Sequence, residues 1–168
     1  MNSVGSYNKC VLIALLFILQ TTNLMGAQKA DAVLVVKSEK RLYLLNNGTS
    51  FASFTVTFGA NPTGHKKAQG DERTPEGHYT LDYKNPNSKF YKSIHISYPN
   101  AEDRANARRL GVDPGGDIMI HGQTNGWEWA SKFVQLLPWT DGCIALSNQD
   151  MEQVWLLVDP GTPIEIKP

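Results

Sequence analysis

This chain of 168 residues has little cysteine, no net charge and no apolar run long enough to cross a bilayer. Each shortage excludes something. Two cysteines, Cys10 and Cys143, cannot form the disulfide framework that staples small secreted domains. Sixteen Lys and Arg against sixteen Asp and Glu give no indication of a surface for nucleic acid or an anionic membrane. Arg104, Arg108 and Arg109 read as one solvated helix face. The longest apolar run, Cys10 to Leu19, is ten residues, about half of what a spanning helix needs. Internal repeats, low-complexity tracts and glycine-rich phosphate loops are all missing.

What the short apolar run does fit is a secretory leader. Lys9 precedes it, the polar Gln20 to Asn23 follow, and Gly26-Ala27 supplies small residues for cleavage, with Ala30-Asp31-Ala32 as a second such site. The expected organisation is a signal peptide over 1–27 and one domain over 32–168, exported to the periplasm or cell envelope, without stable membrane insertion after cleavage. An uncleaved anchor is the alternative, and no cysteine follows the run to serve a lipoprotein route. Losing Lys9 with the leader leaves the charges nearly balanced.

Removal of the leader also removes Cys10, so Cys143 stands alone in an exported protein. An odd thiol outside the cytosol points to reactivity or to an intermolecular bond. Cys143 lies within one motif-length of His121, which ends the apolar strand Ile118-Met119-Ile120 and is followed by Gly122. A thiol attacks as thiolate and ionises near pH 8.5 when free, so it needs a base, and an imidazole near 6.5 suits that role. The segment Thr140-Asp141-Gly142-Cys143 reads as a turn leading into a helix, whose dipole would favour the thiolate. The backbone amides of Asp141, Gly142 and Cys143 are candidates for an oxyanion hole. Nucleophile, base and anion stabiliser together fit acyl transfer through a thioester. The bland reading makes Cys143 a buried apolar residue and His121 a satisfied histidine. A zinc site from His121, Asp141 and Cys143 is the competing chemistry, and it lacks a fourth ligand.

Around this stretch the pattern is rich in strands. Val33 to Val36 and Arg41 to Leu45 form a hairpin, Ser50 to Phe58 alternates as a third strand, and His78 to Tyr83, Ser93 to Tyr98 and Thr162 to Ile166 follow. Asn100 caps a helix over Ala101 to Leu110 that stops at Gly111, and Ser147 caps a second over Asn148 to Val158, with Met151, Val154, Trp155 and Val158 as its core stripe. Gly59 to Gly77 is a long loop in which His65, Lys66, Lys67, Asp71, Glu72 and Arg73 either meet a polar substrate or are plain surface charge. Trp127, Trp129 and Trp139 either floor a groove or pack.

The segments Ile120-His121-Gly122, Thr140-Asp141-Gly142-Cys143-Ile144 and Gly70-Asp71-Glu72-Arg73-Thr74-Pro75-Glu76-Gly77 together resemble the L,D-transpeptidase catalytic domain of the YkuD type, over Val33 to Ile166. The resemblance implies a β-rich α+β fold, a mixed β-sandwich with two short helices and the cysteine at the floor of a cleft. It implies that Cys143 accepts an acyl group from a peptidoglycan stem peptide at an L-to-D bond and that His121 deprotonates it, with no cofactor and no metal. Gly122, Thr140, Asp141, Arg73 and His65 become the candidate substrate contacts. Two departures stand out: Asp141 where the family has histidine, and Ala145 where it often has arginine. With Asn61-Pro62-Thr63-Gly64-His65-Lys66 they resemble a divergent branch that includes a hydrolase freeing a lipoprotein from peptidoglycan. Hydrolase or amidase action on the same substrates is therefore the runner-up, and a non-catalytic peptidoglycan-binding module the second alternative.

Overall fold

The computed structural model describes residues 28–127, 133 and 135–168. The expected leader and Trp129 lie outside them. In chain order the elements are β1 (Ala32–Val36), β2 (Arg41–Asn46), β3 (Thr49–Thr55), β4 (Gly77–Asn85), β5 (Ser93–Ile96), α1 (Ala101–Leu110), β6 (Met119–His121), β7 (Ile144–Ala145), α2 (Asn148–Leu157) and β8 (Thr162–Lys167).

Alternation of apolar residues sets which face of each strand turns inward. Val33 and Val35 of β1, Leu42 and Leu44 of β2, Tyr79 and Leu81 of β4, and Ile164 and Ile166 of β8 are all buried. Each fully buried aliphatic side chain contributes roughly 1.5–3 kcal/mol, so a one-residue register slip in any of these strands would cost several such terms. The strands form one mixed sheet in the order β3-β2-β1-β8-β4-β5-β6-β7, with β1 parallel to β8 and β6 parallel to β7. Past the end of β3, Thr57 pairs with Ala145 of β7 through two backbone hydrogen bonds of 2.9 and 3.0 Å. The two edges of the sheet therefore meet, and the sheet curls around its own core. The third strand expected over Ser50 to Phe58 thus divides into β3 and a crossing segment whose Val56, Thr57 and Phe58 are buried.

Both helices sit where their caps place them. The Asn100 side chain accepts from the amides of Glu102 and Asp103, Asp103 answers on the Asn100 amide, and Gly111 closes α1 in the left-handed region. Ser147 caps α2, which buries Met151 and Val154 against the sheet. Trp155 is only partly buried, its ring facing the ammonium groups of Lys84 and Lys92 at 5.1 and 5.3 Å.

Candidate active site

The parallel pair β6 and β7 places His121 opposite Ala145 and Ile120 opposite Ile144. Cys143 sits one residue before β7, so the ladder carries it to the neighbourhood of Met119. The Met119 amide donates to Sγ of Cys143 at 3.4 Å, and the thiol lies 3.6 Å from the Asp117 carbonyl. Cys143 and His121 open into one cavity of about 480 Å³, shared with Asn85, Asn87, Ser88, Lys89, Phe90, Ser93, Asp117 and Met119.

His121 is buried between aromatic rings, with Phe90 at 4.6 Å and Trp139 at 5.4 Å between centroids. Its Nδ1 lies 2.6 Å from the Gly122 carbonyl. A carbonyl only accepts, so Nδ1 carries the proton and Nε2 keeps the free lone pair of a base. Burial in this apolar slot pushes the imidazole down to about 4, against a smaller opposing effect of the Gly122 bond. Burial also pushes the Cys143 thiol up, the Met119 amide opposes this, Asp141 and Asp117 add to it, and Lys66 offsets part of it. The resting pair is therefore neutral thiol and neutral imidazole, not thiolate and imidazolium. The expected help from a helix dipole is corrected here: β7 separates Cys143 from α2, whose first turn begins at Asn148 behind the Ser147 cap, beyond the reach of an effect confined to one turn.

The turn before Cys143 is fixed by backbone packing. Gly142 has φ +109°, and a Cβ there would lie 2.4 Å from the Arg73 carbonyl. A Cβ on Gly59 would meet the carbonyls of Glu72 and Thr140 at the same distance. The long loop and the cysteine turn thus pack main chain against main chain, which only glycine allows. Thr140 Oγ1 donates to the Cys143 carbonyl at 2.8 Å. Among the described residues, the amides of Asp141, Gly142 and Cys143 donate to no protein acceptor, as an oxyanion hole requires.

Of the candidate substrate contacts, only Asp141 lines a cleft beside the cysteine. It opens into a second cavity of about 650 Å³ with Lys66, Gln69, Gly70, Glu72, Asp113, Gly115, Gly116 and Asp117, so His121, Asp141 and Cys143 do not converge as zinc ligands. The other four take supporting positions. Gly122 is packed against Asn148 and Tyr91, Thr140 is buried on the turn it braces, and Arg73 contributes its carbonyl to the Gly142 contact. His65 is held away from the thiol, with Nδ1 at the Glu76 backbone and Nε2 3.1 Å from Asp103 in a separate cavity. Ala145 is fully buried in the ladder. Of the tryptophans, Trp139 packs at His121 and Trp127 is exposed.

Three contributors escaped the sequence reading. Asp117 takes a left-handed φ of +54° and touches both cavities. Lys89 and Phe90 belong to the turn between β4 and β5, and only its Asn-Pro-Asn-Ser composition could have drawn notice.

Comparison with known proteins gives the arrangement relatives. Over 108 residues, 63% of this chain and 36% of the relative, the sequence is 32% identical to YafK of Escherichia coli strain K12, whose own naming as an L,D-transpeptidase is provisional. The crystal structure of the helical cell shape determining protein Pgp2 from Campylobacter jejuni superposes with a TM-score of 0.60 at 29% identity, over 82% of this chain and 48% of that one. Bd1075 of Bdellovibrio bacteriovorus shares the fold at a TM-score of 0.56 and 23% identity, over 80% of this chain and 46% of its own. The chain spans about a third of YafK and about half of Pgp2. The match to the L,D-transpeptidase catalytic domain, YkuD type, runs over residues 30–166, taking in nearly the whole sheet and every motif around Cys143, and the chain belongs to that family.

Proposed function

We propose that the protein is an exported enzyme that uses Cys143 to carry an acyl group from peptidoglycan stem peptides, through a thioester, to an amine or to water. The observation that carries this reading is the pairing of Cys143 with a buried His121 whose Nδ1 is committed to the Gly122 carbonyl, in one cavity. As the substrate carbonyl meets Sγ, the thiol proton passes to Nε2 of His121 and the carbon–sulfur bond forms. The unengaged amides at Gly142 and Cys143 receive the oxyanion. Collapse breaks the carbon–nitrogen bond, and His121 returns the proton to the departing amine. The acceptor then repeats the sequence in reverse: Nε2 takes its proton, its nitrogen or oxygen attacks the thioester, and the thiol is regenerated.

Family membership and the likeness to Pgp2, a cell shape protein, support peptidoglycan as substrate and wall remodelling as setting. The departures at Asp141 and Ala145, which resemble the branch that includes a hydrolase freeing a lipoprotein from peptidoglycan, keep lipoprotein-linked peptidoglycan as a second substrate to test. The experiment is mass spectrometry of products after mixing the protein, with Cys143→Ala beside it, with stem-peptide muropeptides and with lipoprotein-linked peptidoglycan. A new amide crosslink or exchanged terminal residue, absent with the variant, identifies transfer; shortened or lipoprotein-free peptides identify hydrolysis. Absence of any product that depends on Cys143 would leave only binding to peptidoglycan.

A further inference from the structure

We infer that Asn148 is a positioning residue for the base: its side-chain oxygen fixes the peptide unit whose carbonyl holds His121. This rests on the reading above that His121 takes and returns the proton of Cys143.

The Gly122 carbonyl, which accepts from Nδ1 of His121, and the Gln123 amide belong to one peptide unit. That unit is planar and trans, so its C=O and N–H point in opposite directions and turn together. The imidazole holds the carbonyl end at 2.6 Å, and Asn148 Oδ1 accepts from the Gln123 amide at 2.8 Å. A backbone N–H only donates, which assigns the oxygen of the Asn148 side chain, not its nitrogen, to this contact. Asn148, the peptide and His121 are therefore successive links of one chain of hydrogen bonds. In such a chain an acceptor at the N–H end strengthens the carbonyl at the other. The carbonyl in turn keeps the proton on Nδ1, leaves Nε2 as the base, and steadies the imidazolium that forms when the thiol proton arrives.

The fold commits Asn148 to this place. It is the first residue of α2, directly after the Ser147 cap, and Met151 and Val154 bury that helix against the sheet. The peptide unit before Gly122 is held at both ends too: the His121 carbonyl accepts from the Leu146 amide at 2.9 Å, and the Gly122 amide donates to the Lys92 carbonyl at 3.1 Å. A Cβ on Gly122 would lie 2.6 Å from Asn148 Oδ1 and 2.9 Å from Cβ of Tyr91, so glycine is what lets the asparagine reach the amide. The start of α2 thus serves the site through His121, and not through a dipole at Cys143.

The test reads the imidazole directly. In the full chain with isotope-labelled histidine, nuclear magnetic resonance of the His121 ring nitrogens, assigned by comparison with His121→Asn, gives the tautomer and the titration midpoint. The parent should carry its proton on Nδ1. Asn148→Ala should move part of the population to the Nε2–H form and lower the midpoint, because the Gly122 bond favours the charged ring. Asn148→Asp keeps an oxygen acceptor, so the Nδ1 proton should return with a midpoint at or above that of the parent. Cys143, Asp117 and Lys89, the ionisable groups that share the cavity with His121, are unchanged in these variants. On a substrate turned over through Cys143, Asn148→Ala should lower kcat by about tenfold with KM unchanged, the lower end of what losing the partner behind a metal-bound histidine costs, and Asn148→Asp should recover it. Ser147→Ala is the structural control: it removes the cap of α2 and should lower the urea midpoint while leaving the tautomer alone. An unchanged tautomer or an undiminished kcat in Asn148→Ala, or the same tautomer change in Ser147→Ala, would overturn the assignment. If the parent shows no turnover that depends on Cys143, yet its tautomer depends on Asn148, the catalytic reading fails and the positioning of the imidazole stands.

Discussion

Two cavities meet at Asp117 with Cys143 beside the boundary, and they differ in almost every physical respect. On one side His121 is wrapped by Phe90 and Trp139, with Lys89 as the cation. On the other, Glu72, Asp113 and Asp141 join Asp117 around a larger, more polar space. The apolar side keeps the His121 imidazole neutral near neutral pH, and the anionic side opposes ionisation of the thiol. The difference teaches that the resting site keeps its proton on sulfur, whereas a thiolate site needs a cation or a helix end at the sulfur.

The largest break in this comparison comes from removing the base. His121→Asn keeps a polar side chain of similar size but cannot take the thiol proton, and kcat should fall by about 10²- to 10⁴-fold, measured on any substrate that shows turnover dependent on Cys143. A retained rate would mean that the apolar side does not supply the base.

Next in size is the backbone contact between the two motif loops. Gly142→Ala forces a Cβ to within 2.4 Å of the Arg73 carbonyl at a φ of +109°. The expected loss is about 1–3 kcal/mol from the backbone conformation alone, with more from the contact, read as a lower midpoint in urea. Gly48→Ala is the control, because φ is +73° there and nothing lies within 4 Å. It should show the conformational part only, and equal losses at the two sites would refute the packing argument.

A third effect follows from the buried imidazole. The folded-state value of His121 is depressed from 6.5 to about 4, so on acidification the unfolded chain takes up its proton first. Stability is intact above 6.5 and is lost as pH falls toward 4, by about 3 kcal/mol for the full shift. Urea midpoints between those two pH values should fall in the parent protein and flatten in His121→Asn. A parallel decline in both would assign the acid sensitivity to other groups.

These regions also differ in how far the sequence exposed them. The half of the sheet built from β1, β2, β4 and β8 was legible because Val33, Leu42, Leu81 and Ile164 alternate with less buried neighbours, and local periodicity alone picks that out. The caps at Asn100 and Ser147 were legible for the same local reason. The pair of Cys143 and His121 was found from an unpaired thiol near a histidine, and the structure places both in one cavity. Asp117 and Lys89 were not found, because their places depend on how separate turns come together across the sheet. The helix was read from Asn148, where it begins, but the strand between it and Cys143 was missed because β7 is only two residues long, shorter than any periodic signal. His65 looked like a candidate contact because an isolated polar residue in a long loop carries no sign of the buried partner, here Asp103, that occupies it.

The smallest predicted effect sharpens the anionic side. Asp141 is exposed, and its charge opposes ionisation of Cys143, adding to the effect of burial, while the Met119 amide favours the thiolate. Asp141→Asn removes the charge with little change of shape, so the pH at which iodoacetamide begins to label Cys143 should move down. The labelling rate near neutrality should rise by a few-fold at most, because an exposed charge is strongly screened. High salt should shrink the difference between the parent and the variant, since it already weakens Asp141 in the parent. Asp117→Asn is the companion: it removes the second opposing charge while asparagine still tolerates the left-handed backbone, and it should act in the same direction. If either substitution slows labelling instead, the carboxylate is holding the turn rather than acting through its field, and the contrast between the two cavities would then be one of shape more than of charge.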